Sequence, residues 1–294
     1  MTSDLHQTAI WGGEAGGVQL ESPNGLAIDA AGYVYSTDFQ SGYLRRFSPD
    51  GIVDIEVGGS GTQPGRLSKP IGVAVATDGA IFVSESGSSQ VSRFAPDGTF
   101  QSAWGGPGSK PGQFQSAMGI AVSDRGEVFV ADFGNHRVQV FDSNGEFQRE
   151  WGQLGSSHGD FENPIGLQLD PSGNVWVVDS GNERIQVFAH DGDLLRVLDG
   201  IGPRPEIVSV NNAGEFYVST PWSDSQVRHF STDGRLIGTV GSGLAAPHGT
   251  ATGPYGDLYV AETMGAAIRT FRRGDTPDLT PEGRPTMNNQ GLRP

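Results

Sequence analysis

Short apolar runs alternate along the chain with Gly-rich polar punctuation. In Arg137-Val138-Gln139-Val140-Phe141 the apolar and polar positions follow each other with period two, the spacing of a half-buried strand. Before it stands the apolar run Glu127-Val128-Phe129-Val130-Ala131, and the polar stretch Asp132-Phe133-Gly134-Asn135-His136 joins the two as a loop. Ser143-Asn144-Gly145 predicts a tight hairpin turn into a strand that ends at Trp151-Gly152. With an innermost strand opening at Ala117-Met118-Gly119-Ile120-Ala121-Val122, the unit reads as four strands.

That unit recurs. Pro23-Asn24-Gly25-Leu26, Pro70-Ile71-Gly72-Val73 and Pro164-Ile165-Gly166-Leu167 copy its opening, and the glycines at 25, 72, 119 and 166 are spaced by 47 residues. Two shorter copies follow, at Pro205-Glu206-Ile207 and Pro247-His248-Gly249. Six four-stranded units at this period predict an all-β, six-bladed β-propeller, in which each sheet buries its faces against its neighbours. The sixth copy stops after a third strand, at Ile268-Arg269-Thr270-Phe271, whereas Ile10-Trp11-Gly12 repeats the fourth-strand ending of Ala103-Trp104-Gly105. Residues near Thr8 to Trp11 (about 7–12) are therefore expected to complete the last blade and close the ring. Residues 1–274 read as one domain, and the Pro- and charge-rich stretch 275–294 as a loosely held tail.

The segment Val130-Ala131-Asp132-Phe133-Gly134-Asn135-His136-Arg137-Val138-Gln139-Val140-Phe141 resembles the signature of the NHL-repeat family, and 177–188 resembles it equally. The copies cover roughly nine-tenths of the chain at blade spacing. The resemblance implies the fold and leaves the chemistry open, since propellers host unrelated activities.

Composition narrows the partners. With a net charge of −15 and only the isolated basic pairs Arg45-Arg46 and Arg272-Arg273, the chain lacks the cationic stripe that nucleic acid requires. It has no cysteine, hence no disulfide or thiolate chemistry. Neither a membrane span nor a basic, apolar leader is expected in it, which predicts a cytoplasmic protein. HExxH and P-loop patterns are missing, and no G-x-S-x-G stands in the strand-to-helix context of a nucleophile elbow.

The residue before each motif glycine is predicted to ring the mouth of the central channel: Asn24, Ile71, Met118, Ile165, Glu206 and His248. Ile71, Met118 and Ile165 form an apolar arc, suited to the apolar portion of a small-molecule ligand. Glu206, His248 and Asn24 form a polar arc, suited to proton transfer or to a divalent metal. The linkers beside the polar arc are short, 9 residues from Leu198 to Ile207 and from Val240 to Gly249 against 15 from Val57 to Gly72, so a low rim is expected there. At the end of each second strand stand Asp38, Glu85, Asp132, Asp179, Thr220 and Glu262; the Asp-x-Gly-Asn copies read as turn chemistry. Phe39, Phe133 and Trp222 follow this ring as candidate aromatic walls, or as packing against the next blade.

Two six-bladed enzyme families offer precedents. Pro247-His248-Gly249 with Asp257-Leu258-Tyr259-Val260-Ala261-Glu262 is similar to the last blade of peptidylglycine amidating lyases, which implies zinc at His248, but Met118 and Ile165 stand where further histidines belong. Pro23-Asn24-Gly25-Leu26 resembles the gluconolactonase and senescence-marker family, which implies a divalent metal at Asn24, and Glu21 matches that family loosely. The expectation is an enzyme of lyase, lactonase or isomerase type, with His248 as general base or metal ligand and Glu206 orienting it. One divalent metal, calcium or zinc, on Asn24, Glu206, His248 and Glu262 belongs to this reading, and no organic cofactor does. The alternatives are a protein-interaction platform and a ligand sensor without chemistry.

Overall fold

In the computed structural model, which describes residues 5–12 and 18–274, the strands form six four-stranded antiparallel sheets arranged as blades around an axis. Five blades are continuous in sequence, and the sixth combines Pro247–Thr252, Leu258–Glu262 and Ala267–Arg273 with the N-terminal strand Leu5–Gly12. Leu5 pairs with Arg273 and Gly12 with Ala267, with a bulge between Gln7 and Ala9. The closing strand is thus the predicted one, slightly longer. Trp11 anchors it, stacking on Phe47 of blade one at 5.6 Å and meeting Tyr259 of blade six at 5.4 Å. The stretch 275–294, expected as a tail, lies outside the described residues.

The core is a series of apolar layers between blades. In one, Trp104 meets Phe82 of its own blade and Phe141 of the next; in another, Trp176 meets Phe216 at a tilt and Phe216 stacks on Phe230. Each buried phenyl contributes about 1.5–3 kcal/mol over an exposed one, so the blades hold each other. The third strands Arg137–Phe141 and Arg184–Phe188 are buried throughout instead of half-buried. Their polar positions are interior because they find partners: Gln139 Nε2 donates to the Gln113 carbonyl at 2.8 Å and to Asp132 at 3.0 Å.

Near the axis the motif glycines set the blade spacing. A Cβ on Gly25 would lie 2.1 Å from the carbonyl oxygen of Ile71, and one on Gly249 would lie 2.0 Å from that of Asn24. Only a residue without a side chain allows neighbouring inner strands so close. Hydroxyls tie the same seams: Thr37 Oγ1 donates to the Ile71 carbonyl at 2.6 Å, and Thr263 Oγ1 to that of Pro23 at 2.8 Å. Blade five departs from the pattern, with Ile207 in place of the glycine, and its inner strand packs less extensively on both neighbours. Among the described residues no helix is long and apolar enough to cross a membrane.

Candidate active site

The seam between blades five and six brings two mouth residues into contact. Glu206 immediately precedes the inner strand Ile207–Val210, and His248 is the second residue of Pro247–Thr252. His248 Nδ1 lies 3.1 Å from Glu206 Oε2. The histidine's backbone is fixed by Ser219, whose hydroxyl donates to the His248 carbonyl at 2.7 Å. Ser219 was not singled out from the sequence, although it aligns with Thr37 and Ser84 just before the strand-end acid.

Short linkers predict an open rim here, and the structure differs. The side chains of Glu206 and His248 are only 11% and 12% exposed. Trp222, from the loop after the second strand of blade five, sets its ring edge-on to the imidazole at 5.2 Å and 74°. A large side chain from a neighbouring loop covers what the short linkers leave bare.

Burial governs the pair's protons. Desolvation pushes the Glu206 carboxyl up to about 7, partly opposed by the charge of Arg204. Desolvation pulls the His248 imidazole down to about 4. Two groups in contact titrate as a unit, so the pair holds one proton between about pH 4 and 7. Above that range the remaining arrangement is a Glu206 carboxylate accepting from Nδ1–H, with Nε2 unprotonated.

The other predicted residues divide. Asn24 is buried (4% exposed) on blade one, and Ile71 and Ile165 are buried with Met118 half-buried. Phe39 and Phe133 are half-buried in their loops. Lys69 Nζ sits 5.8 Å from the centre of the Phe39 ring. Glu262 is committed elsewhere: one oxygen accepts from the Ala245 amide at 2.7 Å, the other from Arg269 Nε at 2.6 Å. Asp132 and Asp179 serve their loops as expected, each binding the arginine five residues on, at 2.8 and 2.7 Å.

The proposed metal ligands do not form a divalent centre as arranged. Glu262 is neutralised by Arg269, Glu206 and His248 bind each other, and no three His, Asp or Glu side chains among the described residues converge. The charge-rich oxygen set that a hard cation needs is lacking.

The axial channel widens away from this pair. A cavity of about 210 Å³ runs along the inner strands as far as Gly25, Gly119 and Gly249. It shares Ile28, Gln168 and Thr252 with a wider opening of about 670 Å³ on the opposite face. Asp29 and Asp170 in that opening cap their own turns: each Oδ1 accepts two backbone amides. The larger space is therefore lined by turn chemistry, and neither Glu206 nor His248 lines either cavity.

The NHL repeat model matches residues 114–141 and 161–188, two consecutive copies of the strand–loop–strand unit that recurs around the ring. The chain carries NHL repeats. No curated protein sequence matches it. Among solved structures it is similar to a streptogramin B lyase, with TM-score 0.66 and 16% identity over 91% of this chain and 97% of that one. A catalytically inactive histidine-to-alanine variant of virginiamycin B lyase from Staphylococcus aureus, solved with quinupristin, aligns with TM-score 0.64 and 15% identity over 91% and 98%. A gluconolactonase from Xanthomonas campestris aligns with TM-score 0.66 and 18% identity over 86% of each chain. At these identities the likeness establishes the propeller and no more.

Proposed function

We propose that this NHL-repeat propeller is an enzyme of lyase or lactonase type acting on a small molecule, with His248 as the general base and Glu206 as the residue that orients it. The observation that carries the reading is the 3.1 Å contact between His248 Nδ1 and Glu206 Oε2 in a site dry enough to move both protonation equilibria. A carboxylate on Nδ1 selects the tautomer whose Nε2 is free to accept a proton, and groups shifted in opposite senses are typical of acid–base sites. Trp222 and the arc of Ile71, Met118 and Ile165 suit the apolar portion of the substrate. The lyase and gluconolactonase neighbours share this fold, which favours the reading, and their named activities supply the first substrates to try.

The test is incubation of the purified protein with sugar lactones and with streptogramin B antibiotics, followed by mass analysis. A gain of one water marks hydrolysis, and an opened product of unchanged mass marks elimination. His248→Ala is expected to lower kcat by about 10²–10⁴-fold, the range of a general base, with the fold intact. Turnover that persists in this variant removes His248 from the mechanism. One observation favours the alternative of a protein-interaction platform: Met264 lies exposed on the loop of blade six, as Trp222 does on blade five. A platform would bind a protein through these two residues and leave every substrate untouched.

A further inference from the structure

Blades one, three, four and six pair the acid ending the second strand with an arginine of the third. Arg45 meets Asp38 at 3.5 Å, Arg137 meets Asp132 at 2.8 Å, Arg184 meets Asp179 at 2.7 Å and Arg269 meets Glu262 at 2.6 Å. Blade two keeps the acid without the arginine. Glu85 is 2% exposed and stands opposite Gln90 in the ladder, as Asp132 stands opposite Arg137. Its oxygens accept from neutral donors, the Ser68 amide at 2.8 Å and the Ser88 and Ser92 hydroxyls at 2.9 and 2.6 Å. Among the described residues no cationic side chain pairs with it. A carboxylate buried without a counter-charge is costly.

Beside Glu85 lies a cavity of about 150 Å³, bounded by Gln63, Arg66, Glu85, Gln90, Ser92 and Ala103. Their counterparts one repeat later are Lys110, Gln113, Asp132, Arg137, Gln139 and Glu150. Those counterparts include every group that holds the Arg137 guanidinium. Nη2 donates to the Lys110 and Gln113 carbonyls at 3.0 and 2.9 Å, Nε to Asp132 at 2.8 Å, and Nη1 to Glu150 at 2.8 Å. Blade four repeats the cradle, with Arg184 donating to the Ser157 and Asp160 carbonyls and to Asp179. The loop before blade two has the same hydrogen-bonded shape. The Arg66 amide donates to the Gln63 carbonyl at 2.8 Å and the Gly61 amide to that of Leu67 at 3.2 Å, as Gln113 does to Lys110 and Gly108 to Phe114. The carbonyls of Gln63 and Arg66 therefore stand where those of Lys110 and Gln113 stand. At ~30 Å³ per water, the space equals about five waters.

We infer that this cavity of blade two binds a small guanidinium compound, which supplies from outside the cation that blades three and four supply from their own chain. A planar cation with several N–H donors matches one carboxylate and two carbonyls. A divalent metal would demand more anionic oxygens than Glu85 offers. Ala103 stands where Glu150 would close the cradle, which leaves room for the body of the ligand, and the exposed Thr62 and Pro64 leave the cavity open to solvent.

The test is calorimetric titration of the full chain with methylguanidinium at fixed ionic strength, with methylammonium as a cation of different shape. Saturable binding of methylguanidinium is expected, at least tenfold tighter than that of methylammonium. Gln90→Arg fills the cavity as Arg137 does, and Ser92→Arg fills it as Arg45 and Arg269 fill theirs. Each is expected to abolish binding and raise the melting temperature. Ala103→Glu, which restores the second carboxylate, is expected to tighten binding several-fold. Lack of saturable heat with the wild-type chain overturns the inference, as does unchanged binding in whichever arginine variant folds. None of these outcomes depends on the chemistry proposed at His248.

Discussion

The indole of Trp222 covers the His248 imidazole edge-on, with ring centres 5.2 Å apart, while itself remaining 47% exposed. Trp222 thus stands between solvent and one edge of the imidazole. Trp222→Ala is expected to wet the site. The His248 pKa then rises from about 4 toward its ordinary value of 6.5, which titration of the ring protons by NMR will report. An unchanged pKa would mean that other groups keep the imidazole dry.

Glu206 makes stability and reactivity depend on pH in opposite senses. Its folded pKa of about 7 exceeds the ordinary 4.5, so its contribution to stability is full below pH 4.5 and is lost as the pH rises through 7. The loss amounts to about 3 kcal/mol, at 1.36 kcal/mol per unit. His248 acts at the other end, its contribution being present above pH 6.5 and lost as the pH falls through 4. Urea unfolding of Glu206→Gln is expected to lack the decline between pH 5 and 8. Parallel curves for variant and wild type would show that Glu206 is not buried in solution.

The same carboxyl should appear in the rate. If the active form is the carboxylate on Nδ1–H, kcat/KM, which reports the ionisations of the free enzyme, rises with pH through about 7. Glu206→Gln should flatten that limb and lower the plateau, since an amide no longer compensates the developing imidazolium. A limb that persists in the variant belongs to another group.

Gly249 tests the ring itself. Its backbone requires no special φ, but a Cβ would fall 2.0 Å from the Asn24 carbonyl oxygen. Gly249→Ala is expected to cost about 3 kcal/mol or more through forced separation of blades six and one. Urea titration measures it, with Gly253→Ala as a control for the loss of a glycine of ordinary φ where a Cβ would meet nothing nearer than 3.5 Å.

The sequence revealed architecture and concealed enclosure. The spacing of Gly25, Gly72, Gly119 and Gly166 shows the repeat because the same backbone contact recurs at each seam. The pairing of Glu206 with His248 was legible because repeat register places both at the mouth. Whether the mouth is open was not legible: linker length says nothing of where the Trp222 side chain lies. Glu262 was expected among the metal ligands, yet Arg269, seven residues on, pairs with it. Burial of Gln139 on a strand of alternating pattern follows from partners on a neighbouring loop, which periodicity alone does not register.

The N-terminal strand is hydrogen-bonded along Ala267–Arg273, at the outer side of the sheet whose innermost strand bears His248. A force that pulls on Leu5–Gly12 therefore acts first on the blade that bears His248. Peeling away Leu5 to Gly12 would also strip Trp11 from Phe47 and Tyr259, about 3–5 kcal/mol of packing by the usual cost of deleting a buried tryptophan. The closing strand is in this sense a handle on the blade that carries His248.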